Sequence, residues 1–301
     1  MNKSINFLNL VALAIIISSC TPKLTSIEDK ADEEVSMRYK ILKDVSYGSH
    51  EEQVMDIYLS KDAKSLRPKN FTIVFLHGGG YYVSDKSKEE RYIEPYLKKG
   101  LNVVNMNYRL KQGISPATED LKNALNFLYS QNATYKLDLG HVILTGFSAG
   151  AHIASNVGTS QNNSENPFEL NSNIRIAGVI NFGGIVDGLD VVEKIFVDHE
   201  VEIMRTIGNA FFPAINGYTP NETISIYEPI TYFDRDDPPL FLWHGGKDDQ
   251  IPPATFEKFV RLLNKDKQKN IVIFNPEAEH SPTNEVLEDS YHKIFVFLDN
   301  L

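Results

Sequence analysis

Residues 141–158 read "HVILTGFSAGAHIASNVG". The first seven are a nearly continuous apolar run of strand length, and 149–158 read as a short helix. Between them sits Gly146-Phe147-Ser148-Ala149-Gly150. A Gly-x-Ser-x-Gly turns up in about one in ten random chains of this length, given Gly at about 7% of residues, so position must carry the argument. A serine at a sharp strand-to-helix turn holds strained backbone angles, and its neighbours must be small. Gly146, Ala149 and Gly150 meet that demand. Such a turn lifts the Ser148 hydroxyl above the C-terminal edge of a sheet, where ligands bind in open α/β folds.

Outward from this turn, short apolar runs alternate with helical patterns. Strands are expected at 71–76 ("FTIVFL"), 101–108, 141–147, 175–182, 240–245 and 270–275. Their near-absence of polar alternation is the mark of strands covered on both faces. Helices are expected at 88–99, 115–131, 149–158, 253–265 and 285–301 from apolar residues at three- and four-residue spacing. Strand–helix alternation predicts an α/β fold: a mostly parallel central sheet with helices on both faces. Segments 39–45 and 53–59 have no helix between them and predict an antiparallel hairpin at the sheet edge. Residues 185–230 break the alternation and are rich in Phe and Tyr; a break this long predicts a lid-like insertion. The domain expected to fold is 39–301.

A second glycine cluster, "HGGG" at His77–Gly80, follows the 71–76 strand directly. Glycines let the backbone approach a substrate closely and aim its N–H groups at an oxyanion formed when a carbonyl is attacked. A serine hydroxyl needs a base, and that base needs an orienting acid. His280 lies in "EAEHSP", beyond the last strand, and Asp248 lies in "WHGGKDDQIP", beyond the strand before it. The chain order Ser148, Asp248, His280 is one of the three well-known orders of a serine triad.

"HGGGYY", "NYRL", "GFSAGAH", "PPLFLWHGGKDDQIPP" and "AEHSP" together resemble the HGGG-type carboxylesterases and lipases of the α/β-hydrolase family, over about 40–301. The resemblance implies Ser148 as nucleophile, His280 as base, Asp248 as its partner, and an oxyanion hole from the N–H groups of Gly79, Gly80 and Ala149. Asp248 is preferred over its neighbour Asp249, which reads as a solvated loop charge. "GFSAGAH" and the leading "DVSYGSHEEQVMDIYL" are similar to the bacterial acetylxylan- and feruloyl-esterase-like branch and to arylformamidases. The hormone-sensitive-lipase branch usually has Asp before the nucleophile, where this chain has Phe147. The activity implied is hydrolysis of carboxylic esters, on a small ester or an acylated glycan, without metal or cofactor. Rival readings are a peptidase of the same fold, disfavoured by the uninterrupted "HGGG", and a non-catalytic surface-binding lipoprotein.

The other histidines have blander readings: His77 shapes its loop, His244 buttresses its own, His152 is packed, and His50, His141, His199 and His292 carry no motif. "SHEEQ" (49–53) begins like a zinc-protease helix but has Val54 where the second His belongs. "DRDD" (234–237) is a charged turn.

The N-terminus stands apart. "MNK", an apolar run over 7–17 and small residues before Cys20 read as an exported leader, too short to span a bilayer. "ISSC" resembles the lipobox of bacterial lipoproteins, which implies a signal peptide over 1–19, a lipid on Cys20 and a cell-envelope location anchored to a bacterial membrane. Residues 20–38 are polar and read as a tether. Cys20 is the single cysteine, so no internal disulfide supports the fold. The net charge of −10 with no basic cluster argues against nucleic-acid binding.

Overall fold

A computed structural model describes residues 35–63, 70–161, 170–187, 200, 202–213, 219–265 and 269–301. The leader, Cys20 and residues 20–34 of the expected tether lie outside the described residues, as do parts of 185–230. Residues 35–38 form a helical turn with Val35 against the core, so the end of the expected tether is docked.

The frame is one eight-stranded sheet: β1 Tyr39–Ser46, β2 Val54–Ser60, β3 Thr72–Leu76, β4 Asn102–Met106, β5 Val142–Phe147, β6 Ile176–Phe182, β7 Leu240–Gly245 and β8 Ile271–Asn275, in the order β1-β2-β4-β3-β5-β6-β7-β8. β1 and β2 are the expected antiparallel hairpin, and β2 also pairs antiparallel with β4. The strands from β3 onward pair in parallel. The fold is therefore α/β with a mixed, mostly parallel sheet.

The period-two stagger of a strand sorts these apolar runs into two cores. Val74 and Leu76 face one side with Val104, Leu144 and Leu242. That side is covered by α2 (Ile114–Ser130), α3 (Ala149–Ser160) and α5 (Ala254–Lys265). Ile73 and Phe75 face the other side with Val103, Ile143, Phe241 and Trp243. There the cover is α1 (Glu94–Lys99) and α6 (Asn284–Asp299). Each fully buried Leu, Val or Phe contributes about 1.5–3 kcal/mol of transfer free energy, which is why a chain without a disulfide holds this sheet. α3 is buried along its whole length, as its apolar, small-residue sequence requires.

One expectation is corrected. The helix foreseen over 88–99 is helical only from Glu94; residues 86–88 and 90–92 are separate 3-10 turns. Pro95 at the helix start has no N–H to continue a ladder from upstream, so the helix begins there.

After β3 the chain visits β4 on one side and β5 on the other. The strand order thus reverses at β3/β5, the place where open α/β sheets open a crevice at their C-terminal ends. Leu76 and Gly146 are register partners, so "HGGG" and the serine turn leave the sheet side by side.

Candidate active site

Ser148 sits between β5 and α3 at φ 52°, ψ −121°, a conformation that costs on the order of 1–3 kcal/mol for a residue with a Cβ. Its own N–H donates to the Phe182 carbonyl at 2.8 Å. Close approach explains the flanking glycines. A Cβ on Gly150 would lie 2.2 Å from the Leu76 carbonyl oxygen, and one on Gly146 would lie 2.5 Å from the Gly150 carbonyl carbon.

His280 follows β8 and is buried. Its Nε2 is 2.9 Å from Ser148 Oγ, and its Nδ1 is 2.7 Å from Asp248 Oδ2. With Nδ1–H donating to the carboxylate, Nε2 is left to accept from the serine hydroxyl. Asp248 is itself fixed: its Oδ1 accepts N–H bonds from Gln250 at 3.0 Å and Ile251 at 2.7 Å. Asp249 is exposed at the rim of the cavity and Asp248 is buried, so the geometry selects Asp248. His244 donates from Nε2 to the Ile251 carbonyl at 2.8 Å, stacks on Phe256, and buttresses the Asp248 loop. Burial lowers its pKa.

The loop after β3 is bent through left-handed angles at Gly79 (φ 99°), Gly80 (φ 61°), Tyr81 (φ 59°) and Ser84 (φ 95°). A Cβ on Gly79 would lie 2.0 Å from the Val83 carbonyl oxygen, so only glycine fits. The N–H groups of Gly79, Gly80 and Ala149 have no acceptor among the described residues, and all three residues border the same cavity as Ser148. His77 lies beneath: its ring stacks on Tyr108 at 4.4 Å, its Nδ1 meets the Gly78 carbonyl at 2.7 Å, and burial lowers its pKa to about 4. Tyr108 OH also donates to the His77 carbonyl at 2.9 Å. "NYRL" is thus a support for the glycine loop, held in turn by Arg109 on the fully buried Asp120 at 2.7 Å. Farther along, Lys86 is buried between Asp44 at 2.7 Å and Asp56 at 3.3 Å, tying the loop to the first hairpin.

The cavity at Ser148 is about 830 Å³. Its walls are mostly apolar: Tyr82, Val83, Phe147, Ile207, Phe211 and Phe212 among them. Ile207 and Phe211 come from α4 (Glu202–Phe211), inside the region expected to be a lid. The Phe211 ring rests on Gly80, where a Cβ would be 2.5 Å from its Cζ. Tyr81 OH meets His152 Nδ1 at 2.6 Å, His152 Nε2–H donates to the Tyr227 carbonyl at 2.6 Å, and Tyr227 OH donates to Ser115 Oγ at 2.6 Å. With two such partners and almost no exposure, His152 is held neutral; burial lowers its pKa to about 4.

All six residues expected at the reaction centre are thus brought to one sheet edge, while Cys20 lies outside the described residues. Sequence reasoning expects the aromatic 185–230 segment to shape the pocket, though not as a helix; it missed the Tyr81–His152–Tyr227 chain and Glu89, which accepts the Gly78 N–H at 3.0 Å. "SKEER" looks like any solvated charge run, so Glu89 left no signal. The adjacency of Tyr81 to "HGGG" was a usable one. His50 falls in the turn between β1 and β2, apart from the site.

The family model BD-FAE matches residues 55–263, well over half of the chain. The chain belongs to the BD-FAE family. The BD-FAE match holds Ser148, Asp248 and the glycine loop, and His280 lies beyond its end. Among curated proteins the chain is similar to the "Probable isoprenylcysteine alpha-carbonyl methylesterase" of Oryza sativa subsp. japonica, 26% identical over 76% of this chain and 54% of that one. It is also similar to esterase LipQ of Mycobacterium tuberculosis, 25% identical over 73% of this chain and 52% of that one. The chain spans about half the length of these relatives. Among solved structures, a truncated carbohydrate esterase from gut microbiota superposes with a TM-score of 0.70 at 20% identity, over 87% of this chain and 98% of that one. The fold of this BD-FAE member is thus the α/β-hydrolase fold of known esterases.

Proposed function

We propose that the protein is a serine carboxylesterase acting through an acyl-enzyme. The observation that carries this is the unbroken chain from Ser148 Oγ to His280 (2.9 Å) to Asp248 (2.7 Å) beside three unpaired amides. Ser148 Oγ attacks the acyl carbon as His280 Nε2 takes its proton. The Gly79, Gly80 and Ala149 amides stabilise the oxyanion, a contribution of about 3–4 kcal/mol per donor in other hydrolases. Collapse expels the alcohol, which receives the proton from Nε2, and leaves acyl-Ser148. Water then attacks with Nε2 as base, and the acid leaves as Ser148 regains its proton. Asp248 stays ionised and holds the imidazole tautomer. Hydrolysis of a short-chain aryl ester by wild type and by Ser148→Ala tests this; equal rates would end the claim. Activity unchanged down to pH ~4 would contradict a histidine base, since imidazole acts only when neutral.

For the substrate, we propose acyl esters on carbohydrate, acetyl or feruloyl. Support comes from the BD-FAE match and from the likeness to a solved carbohydrate esterase. The aromatic cavity walls favour the feruloyl end of that range. A panel of acetylated xylan, methyl ferulate and aryl esters of rising chain length decides it; no turnover of either glycan-type ester would refute it. Within the region expected to be a lid, α4 and Phe212 wall this cavity, which supports a lid role for that part of the chain. Export with a lipid on Cys20 rests on the leader and "ISSC" alone. Incorporation of labelled fatty acid, absent in Cys20→Ser, is its test.

A further inference from the structure

The short turn 89–92 touches three of the four segments that bring the reacting groups together: the glycine loop, the serine turn and the His280 loop. Glu89 Oε2 accepts the Gly78 N–H at 3.0 Å, one residue before the oxyanion glycines. Its other oxygen lies 3.2 Å from where a Cβ on Gly78 would stand, as does the Ser148 Cβ. Two residues on, Arg91 points the opposite way. It donates to Ser281 Oγ at 2.7 Å, the Pro282 carbonyl at 3.0 Å and Asn284 Oδ1 at 3.4 Å, pinning the loop that carries His280. Tyr92 stacks on Phe147, the residue before the nucleophile, at 5.2 Å, and Phe147 packs on the His280 ring at 5.0 Å. We propose that Glu89 and Arg91 are positioning residues that set the distance between the oxyanion amides and the His280 imidazole. This rests on the esterase reading above.

The chemistry of the two side chains fits the task. Gly78 precedes a backbone that turns through left-handed angles at the next three residues, so its N–H has no strand partner and a carboxylate is a strong acceptor for it. A guanidinium can hold three acceptors of one loop in a fixed fork, which an ammonium cannot. Glu89 is also electrically part of the site. Burial raises its pKa to about 7, against the Gly78 N–H, Arg91 and His280, which favour the charged form. The charged and titratable groups that face it are Arg91, His280, Tyr92 and Tyr108.

Three variants test the proposal against a wild type whose aryl-ester hydrolysis depends on Ser148. Glu89→Ala removes the anchor and should lower kcat by about 10–100-fold with KM within twofold, the signature of an interaction made in the transition state. Glu89→Gln keeps an acceptor oxygen but no charge. It should hold kcat within about threefold, rescuing most of what Glu89→Ala loses, because the bond to the Gly78 N–H needs the oxygen and not the charge. Arg91→Ala should lower kcat by about tenfold, and Arg91→Lys should restore less than half of that loss. A folded Glu89→Ala with wild-type kcat overturns the proposal, as do equal losses in Ala and Gln. Should Glu89→Ala fail to fold, the Arg91 pair decides: wild-type kcat in Arg91→Ala, or full recovery in Arg91→Lys, overturns it. A wild type without Ser148-dependent turnover would instead refute the esterase reading.

Discussion

The two sides of the cavity are built on different principles. On the sheet side, Ser148, Gly79 and Gly80 occupy backbone conformations that admit few alternatives, and a Cβ on Gly79 or Gly150 would meet a carbonyl oxygen at 2.0–2.2 Å. On the opposite side, Ile207 and Phe211 project from one face of α4, and contact is made by ring and methyl surface. The first side is held by geometry that fails abruptly when altered. The second is held by apolar packing, which tolerates change in size. On the proposed function, chemistry would belong to the rigid side and substrate choice to the adaptable one.

The largest effect should come from the acid. Asp248→Asn should reduce kcat by about 10⁴-fold through loss of the working imidazole tautomer, whereas Asp249→Asn should stay within about threefold. Steady-state kinetics on an aryl ester would show it, and a large loss in Asp249→Asn would reverse the assignment. Next in size is a backbone effect. Gly150→Ala places a methyl 2.2 Å from the Leu76 carbonyl and should destabilise the fold by about 3 kcal/mol, read from the urea midpoint.

Acid should then unsettle the rigid side first. His77 and His152 are buried and neutral, with pKa values lowered to about 4. Their folded values lie below the unfolded value, so their stabilising effect is complete above about pH 6.5 and disappears as pH falls toward 4. Each carries at most about 3 kcal/mol. Urea unfolding between pH 7 and 4 should show the decline, and His152→Gln should flatten part of it. The smallest expected effect is on the adaptable side. Phe211→Ala should shift the preferred acyl length upward, with about a tenfold change in the ratio of kcat/KM for octanoate over acetate esters. An unchanged ratio would place acyl selection elsewhere.

The same division explains what could be read from the sequence. Backbone demands leave letters behind: Gly146 and Gly150 around the serine, and "HGGG" after a buried strand, because nothing else fits there. The strands were legible because both faces are covered, giving uninterrupted runs such as "TIVFL". Packing demands leave weaker traces. Phe211 is one aromatic among several between 185 and 230, and only its seat on Gly80 distinguishes it. Glu89 and Arg91 look solvated in "SKEER", since a hydrogen bond across the fold has no local pattern. The helix foreseen from residue 88 overshot because Tyr92 and Ile93 keep helical spacing while Pro95 forbids the continuous ladder.

The hydrogen-bonded line from Tyr81 through His152 to Tyr227 and Ser115 has a consequence for anyone redesigning this protein as an esterase. Its head, Tyr81, leaves the glycine loop and packs edge-on against Phe211 at 5.9 Å. On the proposed function, the segment that would cradle negative charge and the wall that would gauge the acyl group therefore share one residue. Remodelling the pocket for a bulkier substrate would then drag on the amides behind it, so selectivity and turnover would not be independent dials.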